Sequence, residues 1–100
     1  MMSNALVALL LVGYASASSL LRVGVIGTGC IGLEHLRNLK LVDEVAITAI
    51  ADSHEPSRAA AVECLKEIGA DVDSVAVHTE YTELLASPDV DAVVVCTPHD

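Results

Sequence analysis

Aromatic side chains are almost missing from this chain: two tyrosines, no phenylalanine and no tryptophan in 100 residues. A core built on rings is excluded. It must come from Val, Leu, Ile and Ala, which is feasible because 53% of the residues are apolar. Basic residues are scarce as well. Five Lys and Arg stand against 14 Asp and Glu, a formal net charge of -9. That balance argues against nucleic acid as a partner, since such binding leans on Lys and Arg neutralising phosphates. The three cysteines, Cys30, Cys64 and Cys96, form no CxxC pair and no metal-ligand spacing, so no metal site is expected. Each lies in an apolar stretch, where a thiol behaves as a small hydrophobe. Their odd number favours a reducing, cytoplasmic compartment. No apolar run is long enough to span a bilayer, so no membrane partner is expected. The length allows one small domain at most.

Charge is absent altogether before Arg22. Residues 5–11 form an unbroken apolar run, "ASASS" follows Tyr14, and Ala15-Ser16-Ala17 is an A-x-A-like cleavage site. Two readings stand. Residues 1–17 act as a signal peptide and the product is exported, or residues 1–20 are a dispensable leader and the product is cytoplasmic. The lack of Lys or Arg ahead of the apolar run counts against export.

From residue 21 onward the pattern switches between two periods. Residues 21–26 are apolar and β-branched, the mark of a buried strand. In residues 31–41, Gly32, Leu36 and Leu39 recur at i, i+4 and i+7 on one helical face. "VAITAIA" (residues 45–51) reads as a second strand. Pro56 suits the first turn of a second helix, with Val62, Leu65 and Ile68 facing inward and Gly69 as its stop. Residues 75–77 are a short third strand, Thr82 caps a brief helix ended by Pro88, and "DAVVVC" (residues 91–96) is a fourth strand buried on both faces. The order β-α-β-α-β-α-β implies the first part of an α/β doubly wound parallel sheet of Rossmann type, with strand order 3-2-1-4 and residues 21–100 as a partial dinucleotide-binding domain. The fourth strand should then be a bare apolar edge, which invites intermolecular pairing.

The first strand runs into Gly27-Thr28-Gly29-Cys30-Ile31-Gly32, a G-x-G-x-x-G pattern that opens a helix. Gly27 permits a tight turn, Gly29 lets a pyrophosphate approach the backbone, and Gly32 lets the helix lie close to the sheet. The helix start offers free N–H groups and roughly half a positive charge to phosphates, with no lysine required. Asp52 lies 20 positions after Gly32, at the end of the second strand. A carboxylate there accepts hydrogen bonds from a ribose and repels a 2′-phosphate, so NAD is favoured over NADP. Ser53 and Arg58 leave NADP open if Asp52 turns away. Thr97 and Pro98 close the fourth strand at the crevice where such sheets bind ligands.

These stretches together resemble the N-terminal domain of the Gfo/Idh/MocA oxidoreductases. The marks are "RVGVIGTGCIGLEHLRNL", "AIADSHEPSRAAA" and "YTELLASPDVDAVVVCTP", the last with Tyr81, Leu84, Leu85, Asp91 and Thr97-Pro98 on the family pattern. The resemblance runs from residue 21 to about residue 99. It implies an NAD(P)-dependent enzyme that moves a hydride to or from a sugar, polyol or related carbonyl compound. Gly27, Thr28, Gly29, Cys30, Ile31 and Asp52 match cofactor positions, and Thr97 and Pro98 lie toward the nicotinamide; His35 is structural. Two departures stand out. His99 fills a position where the family usually has Asn, and the family's Glu-Lys-Pro motif and second α/β domain have no counterpart up to Asp100. No catalytic residue is therefore assigned. The chain reads as the front part of a dehydrogenase, with substrate and homo-oligomer contacts belonging to a longer parent. A non-enzymatic dinucleotide-binding module is one alternative. An S-adenosylmethionine-dependent methyltransferase is another, disfavoured by the glycine spacing and by Thr-Pro after the fourth strand.

Overall fold

The computed structural model describes residues 5–11 and 20–98. Five strands form one sheet: β1 (Ala5–Leu11), β2 (Leu21–Ile26), β3 (Val45–Ala51), β4 (Ala76–His78) and β5 (Ala92–Pro98). Three helices connect the last four: α1 (Cys30–Lys40), α2 (Glu55–Glu67) and α3 (Tyr81–Leu85). The spatial order is β1-β5-β2-β3-β4. Ladders β5-β2-β3-β4 are parallel, which is the expected 3-2-1-4 order. Residues 99 and 100 and the A-x-A-like site at residues 15–17 lie outside the described residues.

One expectation fails at the sheet edge. β5 is not bare: β1 pairs with it antiparallel over seven residues, from Ala5 opposite Pro98 to Leu11 opposite Ala92. The apolar run read as a leader thus supplies a fifth strand. A second correction concerns the brief helix. Its N-cap is Glu80, with no side-chain cap bond, and Thr82 lies inside it.

The sheet carries helices on both faces. On one, Val25 and Ile50 pack with Leu36 of α1 and Ala61, Cys64 and Leu65 of α2. Val62 and Ile68, read as inward-facing, sit at the margin of this cluster. On the other face, Ile26, Ala49, Ala51 and Val93 pack with Leu84 of α3 and with Val90. β3 changes phase between them. Val23 lies opposite Ile47 but Gly24 lies opposite Ala49, so Thr48 is an extra, bulged residue. Its hydroxyl donates to the Asp89 carbonyl oxygen at 2.7 Å. The α2 stop is as read: Gly69, at φ +81°, ends the helix in a Schellman turn, with Ala70 N bonding to Leu65 O and Gly69 N to Lys66 O.

Gly24 explains how so short a helix as α3 is seated. A Cβ at residue 24 would stand 2.8 Å from Leu84 Cδ2 and 3.2 Å from its Cγ, and Leu84 is fully buried. The missing side chain is the socket for that leucine. Gly24→Ala is expected to destabilise the fold by about 1–3 kcal/mol through overpacking. The same change in a Leu84→Ala background should cost less, because the added methyl enters the space just vacated. Denaturant unfolding of the four proteins measures this coupling; strictly additive effects would refute the socket.

Arg22 and Asp91 join β2 to the start of β5. The Arg22 guanidinium donates through Nε to Asp91 Oδ2 at 3.0 Å and through Nη2 to Oδ1 at 2.9 Å. The Arg22 amide adds a bond of 2.9 Å to Oδ2, and Asp91 N donates to Arg22 O at 2.7 Å. The guanidinium and amide bonds hold the Asp91 carboxyl below its ordinary pKa, and the same pairing raises that of Arg22. A depressed carboxyl stabilises the fold fully above its unfolded pKa of about 3.9, and this contribution fades as pH falls through the folded value. Thermal melts should therefore lose stability on acidification below about pH 4, and Asp91→Asn should show a shallower acid slope than the parent.

Candidate dinucleotide-binding site

The site is built where β2 turns into α1. Gly27 takes φ +88°, a conformation that favours glycine, and its amide extends the β2–β3 ladder to Ala51 O at 2.8 Å. The chain then reaches Gly29, the N-cap of α1, with no side-chain cap bond. Leu33 N bonds to Gly29 O at 2.9 Å. Amides ahead of it in the first turn have no partner within the helix, so the terminus is left for an acceptor from outside.

The second and third glycines have different tasks. A Cβ on Gly32 would collide with the Gly27 carbonyl oxygen and approach its carbon to 3.0 Å. Those are backbone atoms that cannot swing aside, so α1 is pressed onto the turn. A Cβ on Gly29 would meet nothing within 4 Å. That position is exposed, and its backbone is in an ordinary extended conformation at φ -71°. Nothing in the fold requires glycine there. A bare cradle remains, open to an approaching group and closable by one methyl.

Asp52 ties this turn to the end of β3. Its Oδ2 accepts from Thr28 N at 2.7 Å and from Thr28 Oγ1 at 3.1 Å, and its Oδ1 accepts from His54 N at 2.8 Å. Partial burial works against its charge, but the bonds from Thr28 and His54 outweigh burial and lower its pKa. It is therefore a fixed anion at neutral pH. Arg58 donates to the Asp52 carbonyl oxygen at 2.7 Å, which holds its guanidinium on main chain.

The residues singled out in the sequence fall into three groups. Gly27, Gly29, Cys30, Ile31 and Gly32 form one continuous lip, with Gly29 and Cys30 exposed. Thr28 is in the same turn but faces inward. It is buried, and its hydroxyl lies within 3.1 Å of both Asp52 Oδ2 and Ser57 O. Its role is to join the turn to Asp52. Thr97 and Pro98 continue β5 beyond its last β2 pair, Val95 with Ile26, at the same end of the sheet as the glycine turn. His35 is half-buried. Sequence reasoning missed His54 and Ser57, which act through main-chain atoms that no side-chain pattern reveals. Cys64 and Cys96 are buried thiols, and burial raises the Cys96 pKa; Cys30 is exposed, against the expectation that all three sit in apolar surroundings. Among the described residues no cluster of His, Cys, Asp or Glu suits a metal ion, and no helix is long and apolar enough to cross a membrane.

A strand, a glycine turn pressed under a helix start, and an acid at the next strand's end form a dinucleotide fingerprint in three dimensions. A family model described as "Oxidoreductase family, NAD-binding Rossmann fold" matches residues 21–100. The chain belongs to the Gfo/Idh/MocA oxidoreductase family. An inositol 2-dehydrogenase of Paenarthrobacter aurescens is 43% identical over 81 residues, 80% of this chain and 21% of that protein. A myo-inositol 2-dehydrogenase of Thermotoga maritima is 36% identical over 77 residues, covering 77% of this chain and 21% of that one. Among solved structures, a myo-inositol dehydrogenase from Lactobacillus casei, in complex with NAD(H) and myo-inositol, aligns with a TM-score of 0.58 at 26% identity. That alignment covers 71% of this chain and 20% of the other. The chain thus spans about a fifth of the length of the Gfo/Idh/MocA relatives it matches.

The two glycines answer to different constraints. Gly32→Ala should destabilise the domain by about 1–3 kcal/mol, as overpacking against rigid atoms does. Gly29→Ala should leave stability within about 0.5 kcal/mol of the parent, as expected of a surface change. Paired urea titrations check this, and equal costs at both positions would contradict the described turn.

Proposed function

We propose that this chain binds NAD through the β2–α1 turn and Asp52, as the cofactor half of an oxidoreductase acting on a polyol or related carbonyl compound. The observation that carries the reading is the open backbone at Gly29 beside a carboxylate already held in place. Gly29, Cys30, Ile31 and Gly32 would hold the diphosphate with main-chain amides, Gly27 and Thr28 shape the turn, and Thr97 and Pro98 flank the nicotinamide side. When bound, the nicotinamide supplies hydride acceptance or donation; the residues of this chain bind and orient it. The names of the relatives support a polyol as substrate of the whole protein, and the odd number of cysteines supports a reducing, cytoplasmic setting.

Cofactor preference follows from charge. Asp52 is ionised and held by three donors, so it does not yield its place to a 2′-phosphate. Arg58, the cation that could greet that phosphate, is engaged by the Asp52 carbonyl. NAD is accordingly preferred to NADP. Bonds to a charged acceptor contribute about 1.5–3 kcal/mol, so Asp52→Asn should weaken NADH binding roughly tenfold or more and narrow its advantage over NADPH.

Calorimetric titration of the chain with NADH, NADPH and S-adenosylmethionine tests the reading. Saturable binding of NADH, at least tenfold tighter than NADPH, absent for S-adenosylmethionine and lost in a still-folded Gly29→Ala variant, is the expected result. Equal affinity for the two dinucleotides would remove the role given to Asp52. Unchanged affinity in Gly29→Ala would remove the cradle.

A further inference from the structure

The acceptor sites of Asp52 do not match, as they stand, the ligand proposed for them. A carboxylate offers about four lone-pair directions, two on each oxygen. Both on Oδ2 are engaged, by Thr28 N at 2.7 Å and by Thr28 Oγ1 at 3.1 Å. One on Oδ1 is engaged, by His54 N at 2.8 Å. A single direction is open, on Oδ1. A ribose presents two neighbouring hydroxyls, so one of them finds Oδ2 closed.

The Thr28 hydroxyl is able to open it. It carries one proton and stands 3.1 Å from two acceptors, Asp52 Oδ2 and the Ser57 carbonyl oxygen. The other two donors to Asp52 are main-chain amides, fixed by the glycine turn and by the start of α2, and cannot swing aside. Ser57 lies in the first turn of α2, where its carbonyl serves the amide four residues on. A second lone pair is left for Thr28. Thr28 is buried, so bulk water does not compete for the proton. Every atom in this count belongs to residues 28–57.

We propose that Thr28 is a positioning residue whose hydroxyl proton clears Asp52 Oδ2 for a ribose diol: it donates to Asp52 in the free chain and to Ser57 O in the complex. The carboxylate is thereby held before binding and still accepts both hydroxyls of the adenosine ribose. No covalent bond changes; one O–H···O bond gives way to another. The inference rests on NAD as the ligand of the turn.

The isotopically labelled full chain, its Thr28→Ser and Thr28→Val variants and NADH provide the test. Thr28→Ala takes the place of Thr28→Val if valine at this buried position does not fold. Two NMR readouts apply. In the free proteins, the Asp52 carboxyl should titrate at higher pH in Thr28→Val than in the parent, because one donor to its charged form is lost. Thr28→Ser should restore the parent titration. His54 and Arg58, which also neighbour Asp52, are the same in all three proteins. On saturation with NADH, the Ser57 carbonyl carbon should move downfield in the parent and in Thr28→Ser, as a carbonyl does on gaining a donor. That response should be lost in Thr28→Val. A carboxyl that titrates alike in the parent and in Thr28→Val would overturn the proposal. So would NADH binding that leaves the Ser57 carbon unmoved in the parent, or moves it equally in Thr28→Val. Absence of any binding heat between the parent and NADH would overturn the cofactor reading and this inference with it. The carboxyl titration needs no NADH, so the two failures are told apart.

Discussion

The approach of α1 to the β2 turn is the constraint on which the rest depends. Gly32 lies so near the Gly27 carbonyl that no side chain fits between them, and Gly27 holds the left-handed conformation that directs the chain there. Once this contact is made, the axis of α1 is set. Leu36 then falls into the cluster with Val25 and Ile50, and Ile31 and Leu39 cover Val23, Val94 and Cys96. The first-turn amides, which have no acceptor within the helix, lie beside the same contact. Packing and the proposed binding thus share one cause, and Gly29 differs from Gly32 in having nothing packed against it.

Asp52 shows how an acidic chain holds one more anion in place without a cation. Amides, not side-chain cations, stabilise its charge, and those of Thr28 and His54 come from two separate segments. The carboxylate therefore braces the turn by itself, and the proposed preference for NAD rests on that fixed charge. With five Lys and Arg in the whole chain, the proposed hold on a diphosphate falls to main-chain amides, at a helix terminus where their dipoles add.

Much of this was legible because period and glycine placement are local properties. The strands at residues 21–26 and 45–51, both long helices, the Gly69 stop and the parallel order follow from apolar spacing and right-handed crossovers. What escaped depends on partners distant in sequence. The bulge at Thr48 cannot be seen in "VAITAIA", since apolar residues on both sides of the phase change read alike. Gly24 looks like one more small residue in a strand until Leu84, sixty positions on, is found against it. The clamp between Arg22 and Asp91 spans 69 positions. Thr28 matches a cofactor position in the motif, yet its hydroxyl turns inward to Asp52 and Ser57. The antiparallel β1 was missed for a related reason: a short apolar run ahead of a small-residue site has the composition of a targeting segment and of an edge strand equally.

The sheet is insulated unevenly. One face lies under helices of 11 and 13 residues, the other under a five-residue helix pinned by a single fully buried leucine. Too short to persist by itself, that helix is held by the Leu84 side chain set against Gly24, so the cover of that flank stands or falls with one leucine.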